Sequence, residues 1–168
     1  MDMTPRIAEF YKVSYEQYKK DCVALGYDFK EEELREQWES IQIPTRATSG
    51  SAGYDFYSPF DFSVGGVPNQ IPTGIRCAMD SSHFLMCCPK SGLGFKYGLF
   101  LQNTVGIIDS DYFNSDNEGH IQAKFTADVL FHIKKGQKFM QGIFIPYGIT
   151  DSDHASGTRN GGFGSTGA

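Results

Sequence analysis

Between Pro44 and about Ile149, apolar and polar residues trade places with a period near two, in short bursts separated by Gly, Ser, Asn and Pro. Bursts at 54–57, 70–78, 84–88, 99–103, 107–112, 120–125, 129–133 and 140–146 predict strands. The separators at 49–53, 65–69, 90–98, 114–119 and 134–136 carry turn residues, with a short helix expected over 91–97. Strands at this spacing, with almost no helical period, indicate a mainly β sandwich or barrel. The chain is organised around Gly106-Ile107-Ile108-Asp109-Ser110-Asp111-Tyr112. Leu99 and Leu101 precede it, and Ile121, Ala123 and Phe125 follow after a polar loop, so the two runs read as a hairpin. Its mouth holds the Asp109 carboxylate and the Tyr112 ring, a base and a flat wall suited to a small planar ligand.

Residues 1–43 follow a different period. Ser14 with Gln17, and Asp28 with Glu31, have capping-box spacing and predict helices over about 15–22 and from Asp28 to about Ser40. Glu31, Glu32 and Glu33 fall in the second helix's first turn, where its dipole favours negative charge. Leu34, Trp38 and Ile41 form one apolar stripe. The stripe is expected to dock on the β body, with a protein-partner surface as the alternative.

Composition narrows the classes. At 168 residues, 40% hydrophobic and 21% charged, the chain fits one globular domain with a small appendage. A net charge of −5 argues against binding nucleic-acid backbones, although a single nucleotide can still be held by a few local cations and amides. The first 13 residues lack a signal-peptide core and no run reaches membrane-span length, so a cytoplasmic protein with no membrane partner is expected. Cys22, Cys77, Cys87 and Cys88 lack metal spacing and read as reduced thiols; the four histidines fit no zinc pattern. The glycine-, serine- and threonine-rich stretch 151–168 buries too little to order itself. With Arg159 ahead of the single ring Phe163, it reads as a flexible arm closing on a ligand. The amides of Gly164, Ser165 and Thr166 are candidates for an anion-binding nest.

Five separated stretches then fall into one order. They are Ala52-Gly53-Tyr54-Asp55; Pro89-Lys90-Ser91-Gly92-Leu93-Gly94; Asn103 through Tyr112; Gly136-Gln137 through Gln141; and Arg159 with Gly162-Phe163-Gly164-Ser165-Thr166-Gly167. Each is weak alone, but their order and spacing over residues 44–168 closely resemble the five motifs of the trimeric dUTPase family. The resemblance implies a jelly-roll-like β-barrel (β-clip) at 44–150, preceded by the 1–43 helical extension and followed by the 151–168 arm. It also implies a homotrimer whose sites are shared between subunits, and hydrolysis of dUTP to dUMP and pyrophosphate with Mg2+.

The same resemblance implies roles residue by residue. Asp109 matches the general base that orients a water for attack on the α-phosphorus, a task suited to an ionised carboxylate; Asp111 reads as structural. Tyr112 matches the ring under the deoxyribose that leaves no room for a 2′-hydroxyl. Asn103, Gly106, Ile107 and Ile108 match a uracil pocket read through the backbone, and Gln122 on the return strand adds a main-chain contact. Such fixed donors and acceptors reject a mismatched base by roughly 10⁴-fold. Lys90, Ser91 and Gly92 match the phosphate motif, with Lys90 a point charge where many relatives carry Arg. Gln141 matches a glutamine near the phosphates, and Asp55 the carboxylate that holds magnesium through its water shell. Phe163 matches the aromatic over the uracil face and Arg159 the γ-phosphate cation, at a shorter spacing than in many relatives.

Two rivals remain open on the sequence. A dCTP deaminase of the same fold needs a pocket-strand glutamate, and 121–125 carries none. A regulatory binding protein on the same scaffold is kept open by the N-terminal helices.

Overall fold

The computed structural model describes residues 4–162. In chain order the elements are β1 (Ala8–Lys12), α1 (Tyr15–Ala24), α2 (Glu31–Glu39), β2 (Thr45–Arg46), β3 (Tyr54–Tyr57), β4 (Phe62–Val64), β5 (Asn69–Pro72) and β6 (Ile75–Met79). They continue with β7 (His83–Pro89), α3 (Ser91–Tyr97), β8 (Phe100–Leu101), β9 (Gly106–Ile108), β10 (Gln122–Thr126), β11 (Phe131–Ile133) and β12 (Lys138–Pro146). A 3₁₀ turn over Ser110–Asn114 follows β9. The chain is mainly β, as the strand spacing predicts, and jelly-roll-like, as the resemblance implies.

The largest sheet has the order β2-β3-β12-β7-β9, and a second has the order β5-β10-β8. β4 pairs with β11 and β1 with β6, all antiparallel. Between the layers lie Phe56, Ile71, Leu85, Ile121, Phe125, Ile133, Phe139 and Met140, each at most 1% exposed. The two runs that flank the central stretch do pair, Leu101 of β8 opposite Phe125 of β10, but Gly106–Ile108 between them leaves that hairpin. β9 pairs with β7, Gly106 opposite Cys87 and Ile108 opposite Leu85, whereas β10 pairs with β5 and β8. The 3₁₀ turn takes the chain out of its strand directly after Asp109, and residues 110–121 carry it across to the other sheet. The predicted strand at 70–78 is likewise two, β5 and β6, broken at Gly74. Gly74 has φ +74°, and a Cβ there would lie 2.1 Å from Ile41 Cδ1.

Residues 1–43 contain the two predicted helices and, ahead of them, a strand the sequence reading lacked. Ser14 caps α1, its Oγ accepting from Gln17 N–H at 3.2 Å. The second cap lies at Lys30 rather than Asp28: Glu33 reaches back to accept from Lys30 N–H at 2.8 Å. The predicted apolar stripe is docked. Leu34 and Ile41 are buried, Trp38 packs beside them, and its Nε1–H donates to Val13 C=O at 2.8 Å. Phe10 of β1 enters the same core between Tyr54, Phe56 and Phe144.

Candidate active site

A cleft of about 400 Å³ opens between the two sheets. Gly106 and Ile108 of β9 and Cys87 of β7 line one wall; Gln122 and Ala123 of β10 line the other, with Asn103 at the rim. Gly106 is required by proximity, since a Cβ there would come within 3.1 Å of Cys87 Cβ. Ile107 alternates to the opposite face, where it is 51% exposed, so its side chain takes no part in the lining. The Gln122 amide is fixed by Gln70, whose Nε2–H donates to it at 2.8 Å. Neighbouring Thr104 adopts φ 71°, a left-handed conformation that non-glycine residues rarely hold and that clusters at functional loops.

Asp109 follows the last cleft residue of β9. It precedes the 3₁₀ turn without capping it, so its carboxylate projects and is 47% exposed. Arg159 returns from the C-terminal stretch to donate to both Asp109 Oδ2 and, at 2.8 Å, Asp111 Oδ1. Arg159 is thus paired here with the two carboxylates. Tyr112, one turn on, is 5% exposed. Its N–H donates to Asp109 C=O at 3.1 Å and its hydroxyl to His120 C=O at 2.8 Å. Burial raises the Tyr112 phenol's pKa above its ordinary value. Gly162 lies on the ring edge: a Cβ there would sit 2.9 Å from the Tyr112 hydroxyl. Phe163, Gly164, Ser165 and Thr166 lie outside the described residues.

The remaining predicted residues gather at the far end of β7. Lys90 is the N-cap of α3, and Ser91 and Gly92 form its exposed first turn, whose amides lack partners within the helix. Lys90 Nζ donates to Asp55 Oδ1 at 2.7 Å, and Lys138 Nζ lies 2.8 Å from Asp55 Oδ2. Lys138 was not legible in the sequence, because a bulge in β12 between Lys138 and Met140 sets its position against β3. Gln141 pairs across β12 with Asp55, and its Oε1 lies 2.6 Å from where a Cβ on Gly53 would be.

The Asp55 side chain is 3% exposed and each of its oxygens is engaged by an ammonium. Among the described residues no group of three or more His, Cys, Asp or Glu side chains is placed to hold a metal. Burial pushes the Asp55 carboxyl up, but hydrogen bonds from Lys138 and Lys90 outweigh it and hold the pKa below 3.8. A depressed folded-state pKa contributes stability above the unfolded value that is lost as pH falls through the folded one. The Tm gap between wild type and Asp55→Asn is therefore expected to be full at pH 7. It should shrink as pH is lowered below 3.8, and a gap that does not change with pH would refute the clamp.

The dUTPase family model matches residues 39–167. The chain belongs to the dUTPase family. The deoxyuridine 5′-triphosphate nucleotidohydrolase of Lactococcus lactis subsp. lactis (strain IL1403) is 42% identical over 134 residues, 76% of this chain and 89% of that protein. Its namesake from Albidiferax ferrireducens is 36% identical over 135 residues, 75% of this chain and 89% of that one. Among solved structures, dUTPase from Streptococcus mutans aligns with TM-score 0.62 and 29% identity over 85% of this chain and 98% of its own. A Staphylococcus bacteriophage 80alpha dUTPase solved with dUpNHpp aligns at TM-score 0.59 and 16% identity, over 70% and 90% of the two chains, a likeness of fold. As a dUTPase the chain is a dUTP diphosphatase, releasing pyrophosphate from dUTP. The family match begins at residue 39, so β1, α1 and nearly all of α2 precede it.

Proposed function

We propose that this dUTPase binds the uracil of dUTP in the cleft between β9 and β10. There Asp109 orients and deprotonates the water that attacks the α-phosphorus. The observation that carries the reading is the GIIDSDY stretch, which lines the cleft with Gly106 and Ile108 and leaves the next side chain, Asp109, projecting at its edge. A carboxylate set there by strand pairing accepts the water's proton as the attack develops. Tyr112, tied at its amide and its hydroxyl, forms a rigid floor for the sugar. Magnesium, which Asp55 would hold through its water shell, would supply charge stabilisation to the triphosphate.

The strand register supports a site shared between copies in a homotrimer. Ile108 stands opposite Leu85, which sets Asp109 opposite Phe84. Lys90 lies six residues further along the β7 direction, which is on the order of 20 Å for an extended strand. In-line attack keeps reacting atoms about 3–3.5 Å apart, and the two remaining phosphates reach only a few ångströms beyond. That separation favours a reading in which Lys90, Ser91, Gly92 and Gln141 serve a neighbour's cleft. Large apolar side chains around α3 support such packing: Phe95 is 94% exposed, Leu130 69% and Phe100 49%. Arg159 and Phe163 belong to the arm that closes over the site.

The reaction supplies dUMP for thymidylate synthesis and keeps uracil out of DNA, in the cytoplasm. Among the described residues no helix is long and apolar enough to cross a membrane. The test is pyrophosphate release across dUTP, dCTP, dTTP and UTP with magnesium. Rapid release from dUTP, and from it alone, is expected. No release from dUTP would overturn the reading, and ammonia from dCTP would point to a deaminase.

A further inference from the structure

The residues that precede the family match hold the loop between Tyr112 and Gln122 at three points. At the first, Ser14 N–H and Oγ–H donate to the two oxygens of Glu118, at 2.7 and 2.5 Å. Glu118 itself sits at φ 58°, a conformation kept only where its surroundings enforce it. At the second, the Tyr11 ring packs 5.8 Å from Phe113, whose other contact is the Arg76 guanidinium at 3.7 Å. Arg76 also donates to Phe113 C=O at 2.6 Å. At the third, Asp21 of α1 meets the fully buried His120, Oδ2 to Nδ1 at 2.5 Å.

The His120 contact reaches the site. Its Nε2 accepts from Gly74 N–H at 2.8 Å, so Nδ1 carries the proton that it donates to Asp21. With both ring nitrogens committed, the His120 backbone is fixed, and its C=O accepts from the Tyr112 hydroxyl at 2.8 Å. Asn117 Nδ2–H donates to the same hydroxyl at 2.7 Å. A hydrogen-bonded path thus runs Asp21, His120, Tyr112, Asp109. Its first member lies outside the part of the chain common to the family.

We propose that Asp21, through His120, is a positioning residue for Tyr112, and that the N-terminal segment braces the sugar floor of the dUTP site. The proposal rests on the reading of Tyr112 and Asp109 given above. Asp21 touches no reacting atom; it acts by holding the ring that does. Loosening it is expected to weaken binding and blur the distinction between a deoxyribose and a ribose. The chemistry at Asp109 is unchanged, because that residue keeps its own place at the end of β9.

The test uses the full-length protein with Asp21→Ala, Asp21→Asn and Glu118→Ala. An ångström of misplacement costs up to about 10²-fold, so Asp21→Ala is expected to raise KM for dUTP by roughly tenfold while kcat changes by less than about threefold. Its preference for dUTP over UTP should fall in parallel. Asp21→Asn keeps an oxygen acceptor for His120 Nδ1–H and is expected to restore KM and preference nearly to wild type. Glu118→Ala, which releases Ser14 without touching the buried imidazole, should move both in the same direction by less. Hydrogen–deuterium exchange gives a reading independent of turnover. In Asp21→Ala the amides of 112–120 should exchange faster while those of β7 and β12 do not.

A folded Asp21→Ala protein with unchanged KM, preference and exchange overturns the proposal, as does a lowered Tm with no kinetic change. If Asp21→Ala does not fold, wild-type KM, preference and exchange in Glu118→Ala overturn it. If wild type itself releases no pyrophosphate from dUTP, the reading of the site fails instead, and exchange alone still decides whether the brace exists.

Discussion

An Asp109→Asn variant is expected to bind an unreactive dUTP analogue within a few-fold of wild type while kcat falls by roughly 10²–10⁴, the usual contribution of a positioned general base. The substitution is nearly isosteric, and the amide oxygen still offers Arg159 an acceptor where the carboxylate does now. Strand β9 and its pairing to β7 do not involve the side chain, so the cleft keeps its shape. What disappears is the ability to take a proton from water. Calorimetric titration with the analogue checks binding, and single-turnover pyrophosphate release checks chemistry. A kcat within threefold of wild type would remove Asp109 from the mechanism.

Deletion of residues 157–168 is expected to lower kcat/KM by about 10²-fold or more without changing the oligomeric state. A closing segment excludes water, which strengthens the charge interactions inside a site. The described part of the arm adds Arg159 at the two carboxylates and Gly162 on the Tyr112 ring. Among the described residues no strand is lost, because β12 ends at Pro146. Arg159 now occupies Asp109 Oδ2, so substrate entry requires that contact to be shared or exchanged. Size-exclusion chromatography with light scattering, alongside steady-state kinetics, makes the check. Dissociation of the assembly, or full activity, would contradict the assigned role.

The local features of the chain were legible because local chemistry sets them. Ser14 caps α1 as its spacing with Gln17 predicts, and α3 stands where the 91–97 turn was expected. The failures share a cause, which is pairing over long separations. β1 shows no clear alternation because only Phe10 of its five residues is buried, and its partner β6 lies some 65 positions on. The runs at 99–101 and 121–125 do pair, as β8 and β10, but the Gly106–Ile108 strand between them joins β7 in the other sheet. The pairing of Asp55 with Lys90 and Lys138 likewise joins residues far apart in sequence. The Asp21–His120 contact spans 99 positions, beyond the reach of any local pattern.

Trp38 offers a further use. It is the sole tryptophan, held by Val13 C=O, with the Lys12 ammonium 5.3 Å from its ring centre and Tyr15 at 6.0 Å. Its emission therefore samples the seam where β1, α1 and α2 meet, with no second indole in the jelly roll to mask it. A red shift that precedes loss of far-ultraviolet ellipticity during denaturation would reveal the N-terminal segment peeling away first. The intact enzyme carries its own gauge of that detachment.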